Sequence, residues 1–473
     1  MGVWRRMTAM AVTMAALPAL AGAQGAGPRP DQLAFRDVYK ELVEINTTLS
    51  VGSCTAAAEA MAARLKAAGY ADGDLHLIVE PTHPREGNLV AVLPGTDPKA
   101  KAILLLAHID VVEAKREDWI RDPFTLIEED GWFYARGASD DKAQAAIWVD
   151  TMVRLKAEGA RLRRTVKMAL TCGEESEAAL NGAELLVTKH RELIDAAFAL
   201  NEGAGGLLDD AGKPVSLSIQ SGEKVYQDFT LEVTNAGGHS SRPVKDNAIT
   251  HLAWALVRIG AHDFPVQLND TTRAYFTAMA PLSDAETGAA MRAIVADPTD
   301  AAAAAVLSRN PTWNSMLRTT CVSTMVDAGH AHNALPQRAR ANVNCRIFPG
   351  VPVEDVLAAL NGVAADDKVS ITPAETNRLT PPPPPLTPAM LNPIRKQAAK
   401  IWPGVPLVPF QSTGATDGKY LNSHGIPTYG LTGIFADAGN NGAHGLNEKV
   451  RVKSLYDARD FLYALVRDYA SAK

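Results

Sequence analysis

The stretch Ile103–Val112, with the sequence ILLLAHIDVV, decides the fold class of this chain. An unbroken apolar run predicts a fully buried central strand, because both faces of such a strand must be covered. His108 and Asp110 lie two residues apart at its carboxyl end, so their side chains point the same way. In an open α/β sheet that edge faces the crevice where ligands bind. Taken alone, the pair is better explained as a core histidine capped by a nearby aspartate.

Two further predicted strands also end in acidic residues. The run Val166–Thr171 is followed by Glu174 and Glu175, and the run Ala196–Leu200 is followed by Glu202. Adjacent carboxylates repel each other, and burying both costs several kcal/mol unless a cation compensates. Three successive strands that end in histidine or carboxylate side chains therefore indicate a metal site or an acid/base pair.

Two other segments supply candidate ligands. Asp140 and Asp141 precede a predicted helix over Ala143–Lys156, where capping and the helix dipole explain one acidic residue but not the second. His444 lies in the loop NNGAHGLNEKV, and a lone loop histidine is usually just exposed. Imidazoles and carboxylates without a thiolate cluster suit zinc, and less specifically cobalt or manganese. Two histidines and four carboxylates suit two metals that share a bridging carboxylate, and one of the four carboxylates is then left free to act as a general base.

The length of 473 residues predicts two domains. The segment Val225–Val233 alternates apolar and polar residues, and together with the elements that follow it gives the β-α-β-β-α-β order of a ferredoxin-like unit. The proline run Pro381–Pro385 predicts a stiff connector back to α/β sequence. We expect a catalytic domain over residues 31–220 and 377–473 and a lid or dimerisation domain over 221–376. The Ala-rich segment Ala278–Asn310 is interpreted as a helical insertion in the smaller domain.

The composition and the amino-terminal sequence limit where the protein is located and what it binds. Residues 1–23 combine an arginine pair, a short apolar region and small residues before a cleavage point, which predicts a signal peptide and export to the periplasm or outside the cell. No later stretch is long enough to predict a membrane span. A net charge of −6 without a long basic cluster argues against nucleic acid as a partner. Of the four cysteines, Cys321 and Cys345 are the preferred disulfide pair, and four free buried thiols are the alternative.

Taken together, these motifs resemble those of the co-catalytic zinc peptidases and amidohydrolases. That family includes glutamate carboxypeptidases, aminoacylases, carnosinase-type dipeptidases, acetylornithine deacetylases and succinyl-diaminopimelate desuccinylases. The matching stretches occur in the family's order and span nearly the whole chain after residue 23: LLLAHIDVV, ARGASDDK, TCGEES, ALNEG, GGHSSRP, the HNALP to CRIFPG segment, STGATDGK and GAHGLNE. The resemblance implies a three-layer α/β/α zinc-peptidase catalytic domain with an inserted ferredoxin-like α+β lid domain, and two Zn²⁺ ions per subunit, with Co²⁺ or Mn²⁺ as alternatives.

The resemblance also implies a role for each candidate around the metals. His108 and Glu202 would bind the first ion, Glu175 and His444 would bind the second, and Asp140 would bridge both. Asp110 would orient His108, and Glu174 would act as the general base. Asp141 would matter structurally, because the family has a cis peptide bond after the bridging aspartate. The family's D-x-K spacing favours Asp140 over Asp141 as the bridge.

Four residues outside the metal set resemble substrate-binding or catalytic residues of the family. His239 corresponds to a histidine that stabilises the oxyanion, in dimeric members at the partner's active site. Arg346 and Asn333 correspond to residues that hold the substrate's free carboxylate, and Gly414 lies in a loop that lines the same pocket. From the sequence alone, His239 could instead cap a strand, and Arg346 could be one exposed residue of a strand.

The resemblance implies hydrolysis of an amide bond next to a free carboxylate, in a small peptide or an N-acyl amino acid, by a homodimer formed through the lid. A carnosinase-type dipeptidase is the alternative enzyme. The non-enzymatic alternative is a metal-binding dimerisation protein that has lost catalysis, which predicts a missing base or ligand, whereas every matched position holds a competent residue.

Overall fold

The computed structural model describes residues 27–176, 178–376, 380–437 and 442–472, and the predicted signal peptide lies outside these ranges. Most of the longer helices begin next to a residue whose side chain accepts a backbone N–H of the first turn, as Ser53 and Asn247 do. In the described ranges the α-helices are α1 Pro30–Glu44, α2 Cys54–Ala67, α3 Lys142–Ala157, α4 Gly182–Lys189, α5 Arg191–Ile194, α6 Ala248–Gly260, α7 Asp270–Met279, α8 Ala285–Ala296, α9 Ala301–Leu307, α10 Pro311–Leu317, α11 Val353–Ala364, α12 Pro388–Ile401, α13 Gly418–Ser423 and α14 Val452–Ser471.

The strands form one large mixed sheet and three smaller sheets. Their bounds are β1 Leu75–Ile78, β2 Asn88–Leu93, β3 Ile103–His108, β4 Ile127–Glu129, β5 Trp132–Tyr134, β6 Val166–Thr171, β7 Phe198–Asn201, β8 Gly206–Leu208, β9 Pro214–Glu223, β10 Val225–Thr234, β11 Gly238–His239, β12 Thr320–Ala328, β13 Ala334–Leu335, β14 Arg338–Ile347, β15 Ser370–Pro373, β16 Leu407–Ser412, β17 Thr428–Gly430, β18 Phe435–Asp437 and β19 Lys449–Arg451.

The centre of the large sheet explains why the candidate ligands meet. The strand order runs β1-β2-β6-β3-β7-β17-β9-β8-β18, with β16 paired to β9. Strand β3 runs parallel to both β6 and β7, so the carboxyl ends of these three strands lie at the same edge. All six residues of β3 are buried, and the indole N–H of Trp148 on α3 donates to the Leu106 carbonyl at 3.0 Å. The predicted buried central strand is confirmed.

The smaller unit is ferredoxin-like. Its antiparallel sheet has the order β12-β14-β10-β15, and α6 and α11 pack with β10 and β14 in a separate apolar cluster. The predicted α/β fold with an inserted α+β unit is therefore confirmed. The domain boundaries remain predictions; strand β9 ends at Glu223 and β10 begins at Val225.

The Ala-rich insertion packs differently from the sequence interpretation. Helices α7 to α10 form their own apolar cluster with Val408 and Phe410 of β16, which belongs to the large sheet. The Tyr275 and Phe410 rings lie 6.1 Å apart, and the Asn269 side-chain amide donates to Gln411 at 2.6 Å. The insertion thus supports a strand of the large sheet rather than only the smaller unit.

All four cysteines are disulfide-bonded. Cys321 and Cys345 pair as expected, since they are direct partners in the β12–β14 register. Cys54 and Cys172 form a second disulfide, which the sequence interpretation missed, and the alternative of four free thiols is wrong. Cys54 begins α2 and Cys172 follows β6, so this bond ties a helix to the loop that carries Glu174 and Glu175.

In the part of the chain that is described, no helix combines the length and the apolar character needed to cross a bilayer.

Candidate metal centre and active site

Asp140 lies between the two candidate histidines. Its Oδ1 atom is 3.2 Å from His108 Nε2, and its Oδ2 atom is 3.2 Å from His444 Nε2. His444 Nε2 is also 2.8 Å from Glu175 Oε2, and His108 Nε2 is 3.9 Å from Glu202 Oε1. The Asp140 carboxylate therefore faces both imidazoles. Each imidazole also faces a carboxylate of its own, Glu202 for His108 and Glu175 for His444.

Asp110 organises the ring of His108 and the loop after β6. His108 Nδ1 lies 3.1 Å from the Asp110 carbonyl oxygen, which only accepts, so Nδ1 carries the proton and donates. The Asp110 carboxylate accepts the backbone N–H groups of Glu174 and Glu175 at 3.3 and 3.0 Å. Burial raises the pKa of Asp110, but His108 and these two N–H groups lower it to a net value below the ordinary one.

The remaining carboxylates are buried close together. Ligand atoms of His108, Glu174 and Glu202 lie within 4.8 Å of one another, as do those of His108, Asp140 and Glu175. Burial, with help from neighbouring carboxylates, raises the pKa of Glu174 to about 8 and that of Glu202 well above its ordinary value. The positive charge that the two nearby imidazoles can carry does not balance the negative charge of the clustered carboxylates.

Asp141 is placed in the same site and does not cap the helix. The Asp140–Asp141 peptide bond is cis, in agreement with the family resemblance. Asp141 stands at the N-cap of α3 but makes no side-chain capping hydrogen bond, and its buried Oδ2 atom has no hydrogen-bond partner. Burial and the neighbouring carboxylates raise its pKa well above the ordinary value. Helix capping therefore does not account for this aspartate.

This donor set fits divalent cations. Because Nδ1 of His108 is directed at a carbonyl oxygen, Nε2 is the nitrogen left to bind a cation, and it faces a carboxylate oxygen of Asp140 at 3.2 Å. Two imidazoles with several carboxylates match the ligand preferences of zinc, cobalt and manganese. The buried, unpaired oxygen of Asp141 is a further sign that positive charge belongs here.

Glu448 is a structural residue of the site that sequence reasoning missed. Its carboxylate is fully buried and accepts backbone N–H groups of Gly137, Ser139 and Asp140 at 2.7–2.9 Å, together with the Arg136 guanidinium at 2.8 Å. It therefore holds the segment that presents Asp140. Its only sequence signal was its place in the GAHGLNE stretch, shortly after His444.

Asp417, in the STGATDGK stretch, is the second missed residue. Its carboxylate is buried and accepts from the Thr171 hydroxyl at 2.9 Å and the Asn181 amide at 2.7 Å, which ties α13 to the end of β6. Gly414 lies three residues earlier in the loop after β16, where its N–H donates to the Ser412 hydroxyl at 3.1 Å.

The predicted residues of the smaller unit lie apart from this cluster. His239 is exposed on the short strand β11, paired with β13, and the backbone N–H of Ser240 donates to the carbonyl of exposed Asn333. Arg346 is half-buried on β14, with its guanidinium 4.7 Å from the centre of the Tyr226 ring. The structure brings together the candidates on the large sheet, but it does not place these three in contact with them.

Comparisons with known proteins identify the family of the chain. The family model described as Peptidase family M20/M25/M40 matches residues 104–468. The N-fatty-acyl-amino acid synthase/hydrolase PM20D1 of Homo sapiens is 29% identical over 386 residues, which cover 80% of this chain and 76% of that protein.

Two solved structures have the same fold. The M20 family metallo-carboxypeptidase Sso-CP2 from Sulfolobus solfataricus aligns with a TM-score of 0.67 at 19% identity, over 92% of this chain and 99% of that one. The Bacillus subtilis YXEP protein, titled a dinuclear metal binding peptidase, aligns with a TM-score of 0.58 at 14% identity, over 93% and 98%.

The family match covers well over half of the chain and includes every element that carries the clustered residues. Together with the match to an acyl-amino-acid hydrolase, it makes the protein a metal-dependent hydrolase that acts on amide bonds. The chain belongs to Peptidase family M20/M25/M40.

Proposed function

We propose that this protein hydrolyses the amide bond next to a free carboxylate, in N-acyl amino acids or peptides. The observation that carries the proposal is the position of Asp140, whose two oxygens face His108 and His444 separately. Such a carboxylate is suited to bridge two ions, and two-ion sites of this kind occur in aminopeptidases.

In the proposed site, His108, Asp140 and Glu202 would hold one zinc ion, and Asp140, Glu175 and His444 would hold the second. When bound, the two ions would supply Lewis acidity toward the scissile carbonyl and the attacking water. Cobalt or manganese would serve the same ligand set. The dinuclear metal binding stated for the YXEP protein, which shares the fold, agrees with a count of two.

Glu174 is the proposed general base. It lies beside His108 and Glu202 but is not needed as a ligand, and its backbone N–H is fixed by Asp110. From this position it takes a proton from the attacking water and later returns it to the leaving amine. Asp110 orients His108 by accepting the Nδ1 proton at its carbonyl and by placing its carboxylate 3.6 Å from the same nitrogen.

His239 is the proposed oxyanion donor. Its Nδ1 atom accepts the backbone N–H of Ser241 at 3.1 Å, so the ring proton resides on Nε2, where it is available for donation. Arg346 and Asn333 bind the substrate carboxylate, and Gly414 lines the same pocket. In this proposal, the substrate and a second subunit complete the site. They bring His239 and the residues that bind the substrate carboxylate together with the metal ligands.

The second subunit is a further copy of this chain. In the smaller unit, β12 is an edge strand with Val322, Met325 and Val326 exposed, and α6 beside it exposes Trp254 and Val257. An open strand edge next to an apolar helix face is suited to self-association about a two-fold axis. A homodimer would bury this surface and bring His239 toward the partner's metal site.

Export through the predicted signal peptide at residues 1–23 is part of the proposal. The two disulfides, which persist in oxidising compartments, support a periplasmic or secreted location.

The decisive experiment compares N-acyl amino acids and peptides whose carboxyl ends are free or amidated, using zinc-loaded enzyme. We expect free-carboxyl substrates to be cleaved and amidated ones to be poor substrates. Glu174→Ala should lower kcat about 10²–10⁴-fold while zinc content, measured by elemental analysis, stays at two per subunit. The matched control is Glu184→Ala on the exposed face of α4. Equal cleavage of amidated substrates, or full activity of Glu174→Ala, would contradict the proposal.

A further inference from the structure

The four-stranded sheet of the smaller unit has one apolar face and one polar face. Phe229, Leu231 and Val343 belong to the apolar cluster that contains α6 and α11. Side chains alternate along a strand, so the positions between them on β10 and β14 point to the opposite face. That face carries Tyr226 and Asp228 on β10 and Asn342, Asn344 and Arg346 on β14. Arg346 therefore belongs to a row of hydrogen-bonding side chains.

Tyr226 is the direct partner of Arg346 across the two strands. The guanidinium lies over the phenol ring, 4.7 Å from its centre, and both side chains are half-buried. A ring in this position attracts the cation through its π electrons and replaces water on one side of it. The N–H donors of a guanidinium lie in one plane. A neighbouring group that fixes this plane therefore decides where a carboxylate can accept two N–H groups at once.

Asp228 holds the Tyr226 ring in place. The Tyr226 hydroxyl donates to Asp228 Oδ2 at 2.7 Å, and the side-chain amides of Asn342 and Asn344 donate to Asp228 Oδ1 at 2.8 and 2.9 Å. Burial raises the pKa of Asp228, but these three donors and the charge of Arg346 lower it to a net value below the ordinary one. The carboxylate is therefore ionised at neutral pH, and it fixes the phenol hydroxyl as a donor.

A pre-organised arginine binds an anion more tightly than a mobile one. A long side chain loses rotamer freedom when a ligand fixes it, and this loss weakens binding. The Tyr226 ring restricts Arg346 before the substrate arrives, so less of that freedom is lost on binding. An aliphatic residue at position 226 would leave the guanidinium without this platform.

We propose that Tyr226 is a positioning residue for substrate recognition, whose ring holds the Arg346 guanidinium in the orientation that binds the substrate carboxylate. The inference rests on the proposed function, which assigns that carboxylate to Arg346. Tyr226 acts through Arg346 and not on the reacting atoms. Its effect is therefore on the binding of substrates with a free carboxylate, and it does not extend to the metal ligands or to Glu174.

The test compares N-acetyl-phenylalanine with N-acetyl-phenylalanine amide, by measuring the acetate released from each. Tyr226→Leu removes the ring and should lower kcat/KM for the free acid about 3- to 30-fold, mainly through KM. The amide should be cleaved as slowly as by the wild type, because it has no carboxylate for Arg346 to bind. A fall of equal size for both substrates would indicate a structural role and would overturn the inference.

Two further variants at the same position separate the ring from the hydroxyl. Tyr226→Phe keeps the ring and loses the hydrogen bond to Asp228, so it should retain most of the preference for the free acid. A loss as large as that of Tyr226→Leu would overturn the assignment to the ring. Should Tyr226→Leu fail to fold, Tyr226→Met, with an unbranched side chain closer to the length of tyrosine, gives the same comparison.

Tyr463→Leu is the matched control. Arg154 of α3 lies over the Tyr463 ring of α14, 3.5 Å from its centre, so this change removes a similar platform outside the proposed substrate pocket. The preference for the free acid should stay as in the wild type. A fall as large as that of Tyr226→Leu would overturn the inference.

A double-mutant comparison shows whether Tyr226 acts through Arg346. Arg346→Ala should itself lower the preference for the free acid, and adding Tyr226→Leu should then produce no further fall. A further fall of the same size would mean that Tyr226 acts independently of Arg346, and would overturn the inference.

The two levels of the proposal fail in different ways. A wild-type preference for the free acid that Arg346→Ala abolishes, but that Tyr226→Leu or Tyr226→Met leaves intact, would overturn the role of Tyr226 alone. A preference that survives Arg346→Ala would overturn the assignment of Arg346 and this inference, but not the proposed reaction. Equal cleavage of both substrates by the wild type, or hydrolysis of neither, would overturn the proposed function and this inference with it.

Discussion

Two regions of the molecule carry candidate active-site residues: the cluster around Asp140, and the arm formed by β11 and β13. They differ in whether those residues contact other candidate residues within the same chain. His108, Asp140, Glu175 and His444 are within 3.2 Å of a partner in the same chain. His239 on the arm is exposed, and the described contacts do not join it to that cluster. The difference teaches that a site whose ligands come from parallel strands of one sheet forms within the folded chain. In the proposed homodimer, His239 on the arm instead reaches the metal cluster of the second subunit.

The two disulfides provide the largest test of this comparison, because one lies in each region. Cys54–Cys172 closes a separation of 118 residues below the metal cluster, whereas Cys321–Cys345 closes 24 residues between neighbouring strands of the smaller unit. The loop-entropy model gives about 5 kcal/mol for the first and about 3.5 kcal/mol for the second. We expect Cys54→Ala/Cys172→Ala to lower the unfolding temperature more than Cys321→Ala/Cys345→Ala does.

Activity should separate the same two variants. Cys172 precedes Gly173 and Glu174, so loss of its bond frees the loop that carries the base, and kcat should fall in the temperature range where the variant is still folded. The bond in the smaller unit lies outside that loop, so its loss should affect unfolding but not kcat. Equal kcat for both variants would show that the first disulfide does not position the loop.

The contrast between the regions also explains what the sequence could predict. The strand β3 and the ligands that follow β3, β6 and β7 were readable because an apolar run fixes the strand and parallel pairing fixes the shared edge. The local pattern did not separate Asp140 from Asp141, since both precede the same helix, and the choice of Asp140 came from the D-x-K spacing of the family. In the structure Asp140 faces both histidines.

Two long-range contacts were not predicted from the sequence. Glu448 reaches the backbone of Asp140 from a loop 308 residues later, and no local pattern marks such a contact. Cys54 and Cys172 lie at a helix start and a strand end, whereas Cys321 and Cys345 were suggested by two strand-like runs. Strand β9 was missed although Leu217 and Ile219 alternate with polar residues in SLSIQS, because only two large apolar side chains mark this run.

His239 tests the arm directly. His239→Ala should lower kcat about 10²–10³-fold with little change in zinc content, since an oxyanion donor acts in the transition state. Mixing His239→Ala with Glu174→Ala subunits should restore about a quarter of wild-type activity if the histidine acts across a two-fold interface, because half of the dimers are mixed and each has one complete site.

The controls for the mixing experiment separate trans from cis action. His83→Ala, at a partly exposed position on the large unit outside the cluster, should keep wild-type activity and should restore none to Glu174→Ala beyond its own share. Two outcomes would contradict action across the interface: a monomer in sedimentation analysis, or no recovery of activity after mixing dimers that exchange subunits. Either outcome would mean that another group stabilises the oxyanion, and the arm would then not depend on a second subunit.

Asp110 tests the cluster around Asp140, since its partners all lie within one chain. The expected effect is smaller than that of His239→Ala. Asp110→Asn keeps the size of the side chain but replaces one carboxylate oxygen that accepts the N–H of Glu174 or Glu175. We expect zinc affinity or kcat to fall about 10–100-fold, as for other residues that orient a metal-binding histidine. Asp210→Asn, an exposed aspartate, is the matched control. Mixing Asp110→Asn with Glu174→Ala subunits should restore no activity, since both changes fall within the same cluster. Recovery on mixing would mean that the cluster is shared between subunits.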